Sequence, residues 1–216
     1  MAMDPDAGVP GKDKSRLSHG WLYHRLFDPR LAESRRVALS LIEPGASVLD
    51  IACGTGEMCL EIHRKTGGRV VGIDLSRRQI DFASHRNPYA GVEFIYGDAT
   101  DLSAFAPGTF DYATVLFWMH EIPRDVQVKV LGEALRVAGR AVVADSKVPL
   151  PRNVYGLGIR VVEASFGLKH YEGLQTYLAG GGIMGIAGAM NPAPVVEHRV
   201  ECWHGCREVV MLSNPR

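Results

Sequence analysis

A chain of 216 residues, 46% of them hydrophobic, can bury a sizeable core and fits a single domain. Its 24 Lys and Arg offset 24 Asp and Glu, so no basic field exists to gather nucleic acid or anionic lipid. No apolar run is long enough to span a bilayer, and Cys53, Cys59, Cys202 and Cys206 lack C-x-x-C spacing; with no apolar leader, a reducing, cytoplasmic setting is expected.

In chain order, "MAMDPDAGVPGKDKS" (1–15) has no hydrophobic periodicity and reads as a disordered leader, which leaves 16–216 as one domain. One or two helices are expected next, from the spacing of Leu31, Val37, Leu41 and Ile42, closed by Pro44 and Gly45. Short apolar or β-branched runs then follow at 47–52, 69–74, 92–97, 110–117 and 140–146, separated by helix-like segments of crossover length. Five such units predict a Rossmann-like, doubly wound α/β sheet with mostly parallel strands. Beyond it come a lid-like insertion at about 150–192 and an antiparallel C-terminal hairpin turning near His204 and Gly205.

In such a sheet ligands lie at the carboxyl ends of the strands. The first strand runs into "VLDIACGTGE", where Gly54 and Gly56 let the backbone turn sharply and approach a ligand. Cys59 stands where a dinucleotide fingerprint needs its third glycine, and Glu57 repels phosphate from the helix start. An adenosyl ligand without phosphate, carrying an amino group and a sulfonium, fits better. The second strand ends at Asp74, in register to accept from two ribose hydroxyls; its alternative role is to cap the following helix. The third ends in Gly97-Asp98-Ala99, where Asp98 faces an adenine amino group or simply makes a turn.

Taken together, "VLDIACGTGE", "VVGIDLS", "FIYGDATDL" and "FDYATVLFWMHEIP" resemble the successive motifs of class I S-adenosylmethionine-dependent methyltransferases, over about residues 45–145. "ADSKVPLPRNVYGLG", "HYEGLQTYL" and the final hairpin resemble, more loosely, the ubiquinone and menaquinone biosynthesis C-methyltransferase branch. The resemblance implies S-adenosylmethionine as cofactor. It places Ala52, Gly54 and Gly56 around the methionine portion, with Asp50 oriented towards the amino group and Phe117 alongside. By the same resemblance Asp74 binds the ribose, Leu75 packs on adenine, Asp98 accepts from the adenine amino group and the Ala99 N–H faces a ring nitrogen. "RVAGRAVVAD" departs from the pattern, replacing a longer Pro-Gly-Gly turn before the fifth strand.

Methyl transfer from sulfur needs in-line alignment, exclusion of water and, for a protonated acceptor, a base. His120, directly after the fourth strand, is the candidate catalytic base; its alternative is a cap, shared with Glu121, for the helix near Pro123. Tyr23, Phe117 and Trp118 are the aromatic candidates for the sulfonium or for plain core packing, and Tyr171 and Tyr177 lie in the lid segment. The stretch 179–192 reads either as a mobile cover or as a helix packed on the sheet. Cys202, His204 and Cys206 lack a convincing fourth ligand, so no metal is expected. Where amino-methylating nucleic-acid enzymes carry Asn/Asp-Pro-Pro-Tyr/Phe, this chain reads Phe117-Trp118-Met119-His120, so a small aromatic or lipophilic acceptor is expected rather than nucleic acid. Two competing readings remain: a catalytically silent adenosyl-binding protein, and a nicotinamide-dependent oxidoreductase, which Glu57 and Cys59 oppose.

Overall fold

The computed structural model describes residues 31–215; the expected leader and Tyr23 lie outside the described residues. The described chain opens in a helix over 31–40 (α1) and then alternates. β1 (Val48–Ile51), α2 (Glu57–Thr66), β2 (Val70–Asp74), α3 (Arg77–Arg86), β3 (Val92–Tyr96) and β4 (Tyr112–Leu116) lead to α4 (Arg124–Ala138) and β5 (Arg140–Ser146). Three helices follow, α5 (Val154–Ser165), α6 (Leu168–Ala179) and α7 (Gly182–Gly188), and the hairpin β6 (Val195–Cys202) and β7 (Arg207–Ser213) closes the sheet.

Among the described residues the seven strands form one sheet in the order β3-β2-β1-β4-β5-β7-β6. The first five pair in parallel, whereas β7 inserts antiparallel between β5 and β6. All five expected runs are strands, each within a residue or two of its expected ends. β1 and β5 are buried on both faces, as parallel strands covered by helices on either side must be. Ala38 of α1 and Met58 and Ile62 of α2 pack on one face with Val48, Val70 and Tyr112. Leu131 and Leu135 of α4 pack on the other with Leu49, Val71, Val115 and Val143.

Order reverses between β1 and β4: the chain moves outward through β2 and β3, then returns to β1's other side. In a sheet of this order ligands bind beyond the strand ends at that switch point. The 179–192 stretch contains α7, whose Ile183 and Ile186 are buried in the α4 side of the core. It is thus a packed helix rather than a cover. Close packing also explains its glycine content, since a Cβ at Gly185 would lie 1.9 Å from the Gly180 carbonyl oxygen. No described helix is long and apolar enough to cross a membrane.

Candidate active site

The candidate site is built from strand ends. After β1 the chain takes left-handed backbone at Ala52 (φ 55°), Gly54 (φ 54°) and Gly56 (φ 78°) before α2 begins. Glycine costs nothing there, but Ala52, like Phe117 at φ 58° after β4, is held in a sparsely populated region by its surroundings. A Cβ at Gly54 would meet nothing within 4 Å, so this face of the turn is open, whereas one at Gly56 would strike the Phe94 ring at 2.5 Å. Gly54 therefore shapes the approach to a ligand, and Gly56 the packing beneath it.

Asp74 ties this turn to the next strand end. Its Oδ2 accepts from the Gly54 N–H at 2.9 Å and its Oδ1 from the Ser76 N–H at 2.8 Å. The cap of α3 is Ser76, whose hydroxyl accepts from the Gln79 N–H, so Asp74 is not the cap. It remains half-buried at the rim beside Leu75. Asp98 makes an Asx turn to the Thr100 N–H at 2.8 Å and is exposed, while Ala99 is buried against the core. Asp50 lies deeper, 3% exposed. It accepts from Thr114 Oγ1 at 2.6 Å and from the Cys59 thiol at 3.2 Å, and burial pushes its carboxyl up to about 6 despite both bonds.

Beyond β4, Phe117 and Trp118 are half-buried and a 3-10 turn over Met119–Glu121 carries His120 into the interior, 4% exposed. Neither His120 nor Glu121 caps α4, which starts after Pro123; Gln127 instead bonds the Met119 and Ile122 carbonyls. His120 Nδ1 meets Asp145 Oδ1 at 2.7 Å and its backbone N–H donates to Asp145 Oδ2 at 3.2 Å. Its Nε2 faces Glu163 Oε2, from α5, at 3.6 Å. Burial opposes a charge on the ring, but these two carboxylates outweigh it and push the imidazole up to about 10. His120 is therefore a cation at neutral pH, and Asp145, despite its own burial, is held below the usual carboxylate range by that cation, Arg207 and the Ser146 N–H. Arg207, at the start of β7, donates to Ser146 Oγ at 2.8 Å and stands over the Phe117 ring at 5.6 Å. Tyr177 stands edge-on to His120, with ring centroids 6.3 Å apart, while Tyr171 is half-buried on the same helix, α6.

Sequence reasoning passed over Asp145, Glu163, Arg207 and Thr114. Asp145 follows the rule that found Asp74 and Asp98, since it is the acidic residue closing a strand. The others come from α5, β7 and a buried strand position, where nothing in the local pattern marks them. At the hairpin, His204 stacks on Tyr155 at 3.8 Å, and the described residues hold no group of three His, Cys, Asp or Glu placed to bind a metal.

A sheet in the order 3-2-1-4-5-7-6 with a glycine turn open at its switch point and carboxylates closing β2 and β5 is the architecture of the Rossmann-like methyltransferase class. Residues 48–140 match the family described as a methyltransferase domain, and the cofactor of the class is S-adenosylmethionine. In sequence the chain is similar to curated demethylmenaquinone methyltransferases. It is 28% identical to a demethylmenaquinone methyltransferase of Bacillus licheniformis over 154 residues, 65% of this chain and 66% of that one. Over 147 residues it is 29% identical to the Lysinibacillus sphaericus protein of the same name, spanning 62% of each. The chain thus spans just under two thirds of the length of these relatives. In fold it resembles a SAM-dependent methyltransferase from Aquifex aeolicus, with a TM-score of 0.64 at 20% identity, covering 89% of this chain and 96% of that one.

The residues fit that cofactor. A Cβ at Gly54 would meet nothing within 4 Å, Asp74 stands at the rim on the β2 side, and the Glu57 carboxylate in the first turn of α2 disfavours a pyrophosphate.

Proposed function

We propose that this chain moves the methyl group of S-adenosylmethionine to a small aromatic or lipophilic acceptor. The observation that carries the reading is the bond between Asp74 and the Gly54 N–H, which joins two strand-end loops into one rim at the switch point. Along that rim Asp74 receives the ribose, Leu75 packs on adenine, and Asp98 and the Ala99 N–H read its edge. Ala52, Gly54 and Gly56 surround the methionine portion, with Phe117 opposite and Asp50 beneath, where its negative charge favours an ammonium. When bound, the cofactor supplies an electrophilic methyl on a positively charged sulfur. The chain's part is to align the acceptor, exclude water and move one proton.

His120 is the proposed proton acceptor. It takes that role only after giving up the proton that Asp145 and Glu163 hold on it. Support for the acceptor class comes from the names of the curated relatives and from the balanced charge of the chain, which offers nothing to a polyanion. Four free thiols support a reducing, cytoplasmic setting.

Calorimetry with S-adenosylmethionine, S-adenosylhomocysteine and NAD, beside Asp74→Ala, tests the reading. The first two bind, NAD does not, and the variant loses about 2 kcal/mol of affinity, roughly thirtyfold. Binding of NAD alone would overturn it. Cofactor binding with no transfer to any quinol or phenol would mark an adenosyl-binding protein instead.

A further inference from the structure

His120 is gripped unequally. Asp145, on β5, holds Nδ1 at 2.7 Å and the backbone N–H at 3.2 Å, and is itself fixed by the Ser146 N–H at 2.6 Å. Glu163, on α5, approaches Nε2 only to 3.6 Å, outside ordinary hydrogen-bond length. One side of the ring is locked to the sheet and the other is loosely closed by a helix. That helix packs along one face, and its Tyr155 stacks on His204 of the hairpin. Its inner face buries Gly156, Ile159 and Glu163, and Arg160 reaches Gln175 of α6 at 3.1 Å. Its outer face exposes Val154, Leu157 and Val161 by 75%, 61% and 61%. With His120 only 4% exposed, an acceptor can reach Nε2 only by displacing what covers it.

We propose that Glu163 is a positioning residue for the transfer: it latches α5 onto His120 through Nε2 and yields that nitrogen to the acceptor's hydroxyl when the acceptor enters. The inference rests on the methyltransferase reading above. On entry, the proton on Nε2 passes to Glu163 and from there to solvent. The acceptor's O–H bond then breaks as an N–H bond forms on Nε2, and the positive charge returns to the imidazole beside Asp145. The latch thus keeps His120 charged and shut away until an acceptor is present. Around the ring stand Asp145 from β5, Glu163 from α5 and the Tyr177 ring of α6, with Arg207 of β7 beside Asp145 at 3.8 Å and Glu208 of β7 further behind. Of these, Glu163 alone is carried on α5.

The test is an NMR titration of the His120 imidazole in the full chain labelled at histidine, with His120→Asn for assignment. Glu163→Gln keeps the side-chain shape and removes the charge. Its titration midpoint is expected to fall by about one pH unit or more, a tenfold loss of proton affinity, with Glu163→Asp in between. With turnover, the ascending limb of the pH–rate profile, which follows loss of the His120 proton, moves to lower pH by the same amount in Glu163→Gln and the acceptor KM falls, neither of which follows from general loosening. A midpoint and limb that stay in place while transfer proceeds would overturn the latch alone. Absent transfer in wild type and variants alike, with the midpoint shifted, would overturn the functional reading while the contact itself stood. If Glu163→Gln fails to fold, Glu163→Asp carries the titration, and an unmoved midpoint there refutes the proposal.

Discussion

Replacing Asp145 by Asn removes one charge and almost no volume from the most buried part of the rim. Asp145 is 0% exposed and accepts from His120 Nδ1, the His120 N–H and the Ser146 N–H, with Arg207 at 3.8 Å. An amide oxygen can still accept from one or two of these, but the imidazolium loses its closest counter-charge. Breaking a buried ion pair costs about 3–5 kcal/mol. Because Glu163 still faces the ring at 3.6 Å, the lower end applies, about 3 kcal/mol. In a chain of this size that lowers Tm by about 6–12 °C. The pH dependence gives a second signature. The folded-state pKa of His120 lies above its ordinary 6.5, at about 10, so the stabilisation is complete below the ordinary value and is lost as pH rises through about 10. Wild type therefore melts progressively lower between pH 7 and 10, and Asp145→Asn shows a flatter dependence over the same range. Differential scanning calorimetry at pH 7, 8.5 and 10 measures both. A loss under about 1 kcal/mol, or parallel pH slopes, would refute the assignment of His120 as a buried cation held by Asp145.

Asp50→Asn is expected to act in the opposite direction. Burial raises the Asp50 carboxyl from 3.8 to about 6, so its stabilising form is the protonated one, fully present below the lower value and lost as pH rises through the upper. At pH 8 the amide escapes the cost of the buried charge and gains about 1–2 kcal/mol in urea denaturation, while cofactor affinity measured by calorimetry falls about tenfold or more. Gly72→Ala places a Cβ 2.8 Å from both Cys59 Sγ and the Phe94 ring and 2.9 Å from Cys53 Sγ. Overpacking there costs about 1–3 kcal/mol by the same denaturation assay, and an unchanged midpoint would show that the thiols and ring can give way.

The parallel half of the sheet was legible because each strand is a short apolar run closed by a turn, and because strand ends carry Gly54, Asp74 and Asp98. Those signals are local. What local pattern does not mark is what folding brings from a distance: Thr114 bonds Asp50 across two strands, Glu163 arrives on a helix, and Arg207 arrives on β7, which runs opposite to its neighbours. The reversal puts the beginning of β7, not its end, at the carboxyl rim. A rule that inspects residues after each strand therefore overlooks Arg207. His120 was found by position, but its charge state depends on Asp145 and Glu163, 25 and 43 residues further on, and no spacing within "FWMHEIP" encodes it.

The hairpin that delivers Arg207 also leaves β6 as an outer strand of the sheet, with seven of its eight residues exposed. Such a strand presents unpaired backbone groups that a second chain can extend. Here Glu197, Arg199 and Glu201 lean inward to Arg140, Glu208 and Lys147, and the register breaks between Val196 and His198. An incoming strand would meet a kinked backbone and a row of charges already engaged elsewhere. The margin of the sheet is thereby made a poor template for fibrous stacking, although Val195, Val196 and Val200 lie open to water along it.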